Sequence, residues 1–237
     1  MKKRIFSIML MFCFAVGVIA LFGGCDNSMC VYAGKDLTLA EAIQNVNDGG
    51  TIKLDANITL DEQVIVNKTL TLDLGGYAIN NTSDIWNDSE GVKTWSLISV
   101  QEGGNLTIKN GSLLAKENDC YALDVRDGAS LTIEDGNYVG NVTVVYVHTG
   151  NAVINGGNFK LLQLDNNFGD HRHLINCLDA NWQNGTASIT VKGGTFENYD
   201  PSNNQSLEHN FVEDGYTVTE STQNGNTYYS VNNSNQI

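Results

Sequence analysis

Acidic side chains cluster around one of the few arginines of this sequence. Asp124, Asp127, Glu134 and Asp135 all lie within nine positions of Arg126. Carboxylates grouped in this way can hold a divalent cation such as Ca²⁺, and a carboxylate can act in proton transfer. Acids at such spacings also occur in solvated turns, where they do no chemistry. The cluster is a candidate site, and calcium is the only cofactor that these residues suggest.

A second set of polar residues occupies positions 171–173, which read His171-Arg172-His173. Two histidines separated by one residue on a loop can reach the same metal ion, and one histidine can serve in proton transfer. No further cysteine, histidine or acid pattern in the sequence completes a metal site around them. Solvent-exposed loop residues are the better interpretation, and the three side chains stay candidates for contact with a ligand.

The three tryptophans are candidates for ligand binding. Trp86, Trp95 and Trp182 fall in polar segments that contain asparagine and aspartate. Aromatic faces pack against the C–H groups of sugars, while Asn and Asp can bond sugar hydroxyls. The alternative is that each indole folds back over a small apolar cluster of its own segment. No catalytic residue and no metal ligand is assigned from the sequence.

The charge of the chain limits its partners. With 13 Lys and Arg against 27 Asp and Glu, the formal net charge is -14, and it is -17 without Lys2, Lys3 and Arg4. Such an acidic surface repels nucleic acid and anionic membranes, and it repels polyuronates unless a divalent cation bridges the two. The partners that we expect are a glycan or extracellular matrix.

The first residues predict export. Lys2, Lys3 and Arg4 are followed by an almost unbroken apolar run over residues 5–22, the pattern of a secretory signal. Residues 21–25 read LFGGC and resemble a bacterial lipobox, which would make residues 1–24 a signal peptide and Cys25 the lipidated first residue. Residues 31–33 read VYA and offer cleavage after Ala33 instead, and an uncleaved anchor is a third alternative. We expect a cell-surface lipoprotein, attached to the membrane only by its lipid, with ordinary secretion as the alternative.

One pattern recurs five times along the chain: apolar, any residue, apolar, two spacers, glycine, a small residue, then a large apolar residue. It covers residues 70–77, 106–113, 131–138, 152–159 and 189–196. The glycines form a column of Gly75, Gly111, Gly136, Gly157 and Gly194. The large residues form a column of Tyr77, Leu113, Tyr138, Phe159 and Phe196. Internal repetition of this kind indicates a solenoid, in which no single unit can bury its own apolar face.

The repeat also predicts local structure. Its alternating apolar residues predict a strand with one face inward, and its glycine marks a corner with positive φ. A second strand is predicted in each unit, at 97–100, 122–125, 144–147 and 175–178. The predicted fold is all-β, a single-stranded right-handed parallel β-helix of about five coils. An antiparallel sandwich is the alternative, but it requires hairpins between successive strands and gives no reason for a glycine column.

The two ends of such a solenoid must cover exposed strand edges. Residues 36–46 predict a capping helix, because Thr38 and Glu41 have capping-box spacing and an apolar face is formed by Leu37, Ala40, Ile43 and Val46. Residues 216–220 and 227–231 predict a closing hairpin around Asn224-Gly225. We expect 25–50 to be linker and capping helix, 51–197 the β-helix, and 198–237 linker and hairpin cap.

Three insertions interrupt the regular units, at 80–96, 160–173 and 179–187. The first two leave the same corner three coils apart, which places them about 14 Å from one another on one flank. Loops on a rigid scaffold commonly carry binding groups. We therefore expect any activity to lie in these three segments.

Two parts of the chain resemble a known family. Residues 39–52 and 58–76 look like the first turns of proteins with the pectate-lyase-like β-helix fold. The closing stretch, GGTFENYDPSN at 193–203 followed by NFVEDGY at 210–216, resembles a recurrent ending of β-helix repeat proteins from gut bacteria and their phages. The resemblance covers nearly all of 35–237. It implies the fold but little about activity, because that fold hosts lyases, hydrolases, esterases, adhesins and tail fibres.

For an enzyme, the resemblance implies either a calcium-dependent lyase with an arginine or lysine base, or a hydrolase with facing carboxylates. Outside the leader the only arginines are Arg126 and Arg172, and the family's Gly-His-Gly and Arg-Ile-Lys motifs do not occur. We therefore favour a non-catalytic, adhesin-like protein that binds glycan or matrix. The alternatives are a divergent polysaccharide lyase or glycoside hydrolase, and a structural surface protein without a small ligand.

Overall fold

The chain is mainly β structure. A computed structural model describes residues 30–32, 38–162, 173–203 and 209–236, with the backbone alone for 30–32. The strands are β1 (Cys30–Tyr32), β2 (Gly50–Leu54), β3 (Ile58–Leu60), β4 (Val64–Val66), β5 (Thr69–Asp73), β6 (Ala78–Asn81), β7 (Ser96–Val100), β8 (Asn105–Lys109), β9 (Ser112–Leu114), β10 (Tyr121–Val125), β11 (Ala129–Ile133), β12 (Asn137–Gly140), β13 (Val145–Val147), β14 (Gly150–Ile154), β15 (Asn158–Leu161), β16 (Ile175–Cys177), β17 (Ala187–Val191), β18 (Gly194–Glu197), β19 (Tyr216–Gln223) and β20 (Asn226–Asn233).

Helical structure is sparse. The α-helices are α1 (Leu39–Asn45) and α2 (Asp179–Gln183), and a 3₁₀ turn covers Ser234–Gln236. No helix in the described ranges is long and apolar enough to cross a membrane.

From β2 to β18, every third strand returns to the same sheet. Sheet A has seven strands in the order β1-β2-β5-β8-β11-β14-β17, sheet B has eight in the order β3-β6-β9-β12-β15-β18-β20-β19, and sheet C has five in the order β4-β7-β10-β13-β16. All pairs from β1 to β18 are parallel. Each set of three consecutive strands from β2 to β16, here called a layer, adds one strand to every sheet, and a last layer of β17 and β18 adds one strand to sheets A and B. Successive strands of these layers lie in different sheets, so the antiparallel sandwich is wrong.

The repeat gives the register of sheet A correctly. Leu70, Leu106, Leu131, Ala152 and Ile189, which begin the five repeated segments, form one column in which each residue pairs with the next. The predicted second strands also form, since β7, β10, β13 and β16 agree with the expected bounds to within one residue at each end. A strand that was not predicted, β4, starts the same sheet.

The prediction that Tyr77 belongs to the column of large apolar residues is wrong. Leu113 pairs with Ile79 rather than with Tyr77 in the preceding layer. Ile79 is fully buried, whereas Tyr77 is 37% exposed. The first repeat has two more residues between its glycine corner and its buried apolar residue than the later repeats have. Gly75 and Gly76, which both adopt positive φ, form this longer corner before β6 begins. The pattern alone cannot detect this shift, since Tyr77 and Ile79 both satisfy a large apolar position.

The last three residues of that column, Tyr138, Phe159 and Phe196, form a stack of rings inside the core. The ring centroids of Tyr138 and Phe159 are 5.3 Å apart, and those of Phe159 and Phe196 are 4.8 Å apart. These distances follow from the spacing of neighbouring strands, about 4.8 Å. Gly157 turns the corner beneath the stack with φ +110, and a Cβ at this position would lie 3.3 Å from the Phe159 ring. Glycine is needed there both for its backbone conformation and for the space that the ring occupies.

The predicted capping helix is α1. Thr38 is its N-cap and forms a capping box with Glu41. Thr38 donates hydrogen bonds to the Glu41 carboxylate, and these bonds lower the pKa of Glu41. The predicted apolar face was shifted: the buried residues are Leu39, Ala42, Ile43 and Val46, at the i, i+3, i+4, i+7 spacing of an α-helix. Ala40 is only half-buried, and Leu37 lies outside the described residues.

The predicted closing hairpin is β19–β20, and its strands are longer than expected. Asn224 and Gly225 form its two-residue turn, both with positive φ, as a type I′ turn requires. β20 pairs in antiparallel fashion with β18 and so covers the last strand of sheet B. At sheet A, Val212 bridges Val191 of the last strand.

Cys120 and Cys177 are both buried and free, and each fills its place in the core as a small apolar side chain. Burial raises the pKa of the Cys177 thiol to about 12, and it raises the pKa of Cys120 still further. Neither thiol is therefore suited to act as a nucleophile.

The misplaced column residue provides a test of the register. Ile79→Ala is expected to lower the free energy of unfolding by about 2–5 kcal/mol, because it leaves a cavity in a packed core. Tyr77→Ala removes a larger side chain but an exposed one, so its cost is expected to stay within about 1 kcal/mol. Urea unfolding of both variants measures the difference. The opposite ranking would place Tyr77 in the core column.

Candidate functional site

Five aromatic side chains lie together over sheet C. Trp86 meets the Tyr121 ring edge-on, with centroids 5.2 Å apart. Tyr121 and Tyr146 are 5.7 Å apart, and Trp95 lies 5.9 Å from the rings of both Tyr146 and His148. We call these five side chains the aromatic face.

The strands of sheet C hold this face on their outward side. Val145 and Val147 flank Tyr146 and belong to the core, so Tyr146 points away from it, because successive residues of a strand face opposite sides. Of the five residues of the aromatic face, Trp86 is the most exposed, at 40%. The rings are therefore supported from below by a rigid sheet and are accessible from above.

A buried carboxylate fixes the segment that carries Trp86. This segment, residues 82–95, connects β6 to β7. Asp119 is 6% exposed and accepts hydrogen bonds from the backbone N–H groups of Ile85 and Trp86, each at 2.8 Å. It also accepts a short bond from the Asn81 amide. Three charge-assisted bonds to one carboxylate set the backbone position from which the Trp86 ring projects.

Trp95 is anchored at its indole N–H. Asn87 and Thr94 pair as a small antiparallel bridge within the 82–95 segment. Next to this bridge, Trp95 Nε1 donates to Asp88 Oδ1 at 2.9 Å, and Lys93 Nζ donates to the same oxygen at 2.6 Å. The bonds from Lys93 and Trp95 lower the pKa of Asp88. Asp88 therefore stays ionised and keeps accepting from the indole.

A buried ion pair supports Trp95 from below. Asp124 is fully buried on β10, between the core residues Leu123 and Val125. Its carboxylate accepts from Arg126 Nε at 2.7 Å. The Arg126 guanidinium lies 4.2 Å from the centroid of the Trp95 ring, within cation–π range.

The remaining partners of this pair come from neighbouring layers. Asp124 accepts from Ser96 Oγ at 2.5 Å, from Ser99 Oγ at 2.8 Å and from Gln63 Nε2 at 3.4 Å. Arg126 Nη1 donates to the backbone carbonyl of Lys93 at 3.1 Å. Its Nη2 is buried without a hydrogen-bond partner among the described residues. The ion pair thus joins three layers of sheet C to the base of the 82–95 segment.

The acidic cluster predicted around Arg126 does not form as one site. Asp124 is a buried strand residue rather than a solvated turn residue, whereas Asp127, Glu134 and Asp135 are exposed. Glu134 accepts a bond from the Asn155 side chain, and Asp135 accepts one from a backbone N–H. In the part of the chain that the structure describes, no three His, Cys, Asp or Glu side chains are placed to hold a metal ion. These acids are close along the sequence, but they lie at different places in the fold: Asp124 is in a strand of sheet C, and Glu134 and Asp135 follow a strand of sheet A.

Burial also affects the two tyrosines of the face. It raises the pKa of Tyr146 to about 12, and the nearby Asp179 carboxylate adds to this effect. Burial raises the pKa of Tyr121 as well, with Tyr146 as the next contributor. Both hydroxyls stay protonated at physiological pH and can donate a hydrogen bond to a ligand.

Trp182 does not belong to the aromatic face. It lies in α2, where its ring stacks on His209 at 4.5 Å and meets Phe211 edge-on at 5.1 Å. It packs partly buried against the core. Trp182 therefore covers part of the core together with His209 and Phe211, rather than an apolar cluster of its own segment. The segment 179–187, expected to be a loop, begins with this helix, and Asn181 donates from its side chain to the His148 carbonyl at 2.6 Å.

The other candidates are described in part. His173 is half-buried and stands two residues before β16, on the same sheet as the aromatic face. His171, Arg172 and the lipidation candidate Cys25 lie outside the described residues. The insertions 80–96 and 160–173 do leave the same corner, because they connect β6 to β7 and β15 to β16.

Sequence reasoning found Trp86 and Trp95 but missed the strand residues beneath them. Tyr146 lies in a predicted second strand, Tyr121 directly precedes one, and His148 directly follows one. The available signal was the alignment of the predicted second strands, because the third residues of 122–125 and 144–147, Asp124 and Tyr146, pair with one another in the structure. In the next layer Tyr146 pairs with Asn176, whereas the third residue of the predicted strand 175–178 is Cys177.

Removal of the buried carboxylate tests the support beneath Trp95. Asp124→Ala is expected to lower the free energy of unfolding by about 3–5 kcal/mol, because it leaves the Arg126 charge buried without its partner. Asp127→Asn, which removes the charge of an exposed acid in the same segment and keeps a residue type that tolerates the left-handed backbone there, is expected to cost about 0.5 kcal/mol or less. Chemical unfolding measures both. Equal costs would show that Asp124 is not the buried partner of Arg126.

The raised pKa of Tyr146 gives a pH-dependent prediction. The folded state binds this proton more tightly than the unfolded chain, so the stabilisation is complete below the ordinary value of 10.0 and is lost as the pH rises to about 12. Tyrosinate absorbance of wild type and Tyr146→Phe, titrated in parallel, isolates this one group. The difference curve is expected to have its midpoint near pH 12. A midpoint near 10 would mean that the ring is solvated.

Comparison with known proteins assigns no family to this arrangement. No family model matches the chain, and neither does any curated protein or any solved structure.

Proposed function

We propose that this chain is an exported, right-handed parallel β-helix protein that binds glycans on its aromatic face without cleaving them. The observation that carries the proposal is the cluster of Trp86, Trp95, Tyr121, Tyr146 and His148, held in fixed positions on the outward side of a parallel sheet. An adhesin-like role at the cell surface follows from this binding and from export.

The winding of the chain supports the β-helix. From β2 to β15, each strand pairs in parallel with the strand three positions later, so each complete layer adds one strand to every sheet. Connections between parallel strands of one sheet are right-handed in nearly all proteins. Parallel layers that bury a common core are what a solenoid requires, and the resemblance to pectate-lyase-like proteins at 39–52 and 58–76 agrees with it.

The leader supports export, and the fold favours one of its two processing sites. Strand β1 pairs in parallel with β2 at the start of sheet A. Cleavage before Cys25 retains this strand, whereas cleavage after Ala33 removes it and leaves the β2 edge open. An open sheet edge invites pairing with other chains. We therefore propose a lipoprotein anchored through Cys25 at the cell surface, with free secretion as the alternative.

The aromatic face has the properties of a sugar-binding platform. Its rings offer flat apolar surfaces that fit sugar C–H groups, and the buried anchors Asp119 and Asp124 hold those rings before any ligand arrives. Such preorganisation reduces the entropy that is lost on binding. Asn87, Asn176 and the tyrosine hydroxyls at or near the face can bond sugar hydroxyls.

The charges around the face favour a neutral glycan. Each described lysine or arginine near it already pairs with a carboxylate: Lys93 with Asp88, Lys116 with Asp84, and Arg126 with Asp124. The net charge of -14 repels polyanions in addition. Uronate-rich polymers are therefore expected to bind more weakly than neutral ones.

The same contacts argue for binding over catalysis. Asp124 is fully buried, and its oxygens already accept from two serines and an arginine. Arg126, the base candidate for a lyase, is 9% exposed and lies beneath Trp95. A substrate would have to displace Trp95 to reach either group. Both residues are better explained as supports of the aromatic face.

A glycan array tests the proposal. Wild type is expected to bind neutral oligosaccharides, and Trp86→Ala is expected to weaken that binding about tenfold or more, equivalent to ~1.4 kcal/mol. Trp95→Ala should have a similar effect. Tyr77→Ala is the matched control, because Tyr77 is an aromatic residue of comparable exposure. It lies in the corner between β5 of sheet A and β6 of sheet B, away from sheet C. Binding that survives both tryptophan changes would contradict the assignment of the face.

Two further measurements separate the alternatives. Trp182→Ala should lower stability without changing the affinity of the folded protein, because Trp182 covers the core. Incubation with pectin, alginate and neutral glycans, with and without Ca²⁺, detects cleavage as unsaturated products or new reducing ends. Product that disappears in Arg126→Ala would replace the binding role with a divergent lyase or hydrolase. Absence of both binding and product would favour a structural surface protein.

A further inference from the structure

Strand β19 presents a long, open edge at the end of sheet B. It runs over eight residues, Tyr216–Gln223, and carries a single charge, Glu220. It is the last strand of the eight-stranded sheet, and β20 is its sole paired strand in the described part of the chain. Edges of this length are usually protected by proline, lysine or a bulge, none of which this strand contains.

The hairpin geometry shows which backbone groups face the open side. The two-residue turn makes Gln223 and Asn226 a hydrogen-bonded pair, and bonded pairs then alternate along the hairpin. Thr227, in the next pair, instead bonds Asn198 on the far side of β20, accepting from its N–H at 2.7 Å and donating to its side chain at 2.9 Å. Its partner Thr222 therefore directs its own N–H and C=O to the open edge. Glu220 and Val218, two and four residues before Thr222, direct their backbone N–H and C=O groups to the open edge in the same way.

Glu220 opposes pairing between two copies of this chain. The antiparallel arrangement that uses all three open positions places residue 220 opposite residue 220 of the other copy, and 218 opposite 222. Like charges directly opposite one another in an antiparallel pair are destabilising. The surroundings add to the repulsion, because residues 193–237 contain six acidic residues and no lysine or arginine. The edge can therefore accept a strand from another protein, whereas charge repulsion disfavours pairing with a second copy of this chain.

We propose that the outer edge of β19 is an interaction surface for an extended, basic segment of a partner protein. The segment joins sheet B as an antiparallel strand, bonds the N–H and C=O groups of Val218, Glu220 and Thr222, and places a lysine or arginine opposite Glu220. Backbone bonds supply the affinity in this mode of recognition, and side-chain pairing supplies the selectivity. The surface is separate from the aromatic face and independent of the glycan proposal.

The chain itself provides the probe. The Glu220→Lys variant presents a preformed strand with a basic residue at the matching position. Wild type alone and the variant alone are expected to sediment as monomers, because each would pair like charges at position 220. Their mixture is expected to form a 1:1 complex, held at least about tenfold more tightly than either self-pair, and this complex should weaken as salt is added.

A proline at the edge is the control. Thr222→Pro removes one N–H that faces the open side while leaving the bonded pairs of the hairpin intact, so it should abolish the complex in either partner. Ser221→Ala, one position away with its backbone turned to β20, should leave it unchanged. No complex in the mixture, or a complex that survives Thr222→Pro, would overturn the proposal. A stable wild-type dimer would assign the edge to a second copy instead.

Discussion

The structure depends on parallel strands that pair in register from one layer to the next. Each layer exposes apolar residues that it cannot cover itself, and only an identical spacing in the next layer buries them. The column from Leu70 to Ile189 shows this constraint in its simplest form, because five residues from five layers pair consecutively. A shift of one residue would turn every apolar side chain of a strand outward. The glycine corners and the ring stack of Tyr138, Phe159 and Phe196 follow from the same requirement.

This constraint explains which parts of the molecule could be predicted. Local residue types alone identify several features of the fold. These are the sheet A columns, the second strands, the capping box at Thr38 and the Asn224-Gly225 turn. The misplacement of Tyr77 shows the limit of that reasoning. A corner with two extra residues leaves two large apolar side chains competing for one position, and only packing against Leu113 in the next layer decides between them.

The candidate site was harder to predict, because its parts come from different layers. Trp86 and Trp95 were visible as unusual residues in an insertion. The carboxylates that fix them, Asp119 and Asp124, resemble ordinary polar residues in the sequence. Their importance arises from burial and from partners more than twenty positions away, such as Ile85 for Asp119 and Ser96 for Asp124. Trp182 shows the reverse case, since a residue type typical of binding sites here closes the end of a core.

The connection from β6 to β7 spans residues 82–95, whereas the equivalent connections one and two layers later, at 115–120 and 141–144, are much shorter. All of them join strands whose register is fixed by neighbours in their own sheets. The length and content of such a connection can therefore change without moving any strand. A chain built in this way can exchange one exposed surface for another through a change in a single segment, so recognition can diversify while the scaffold beneath it stays the same.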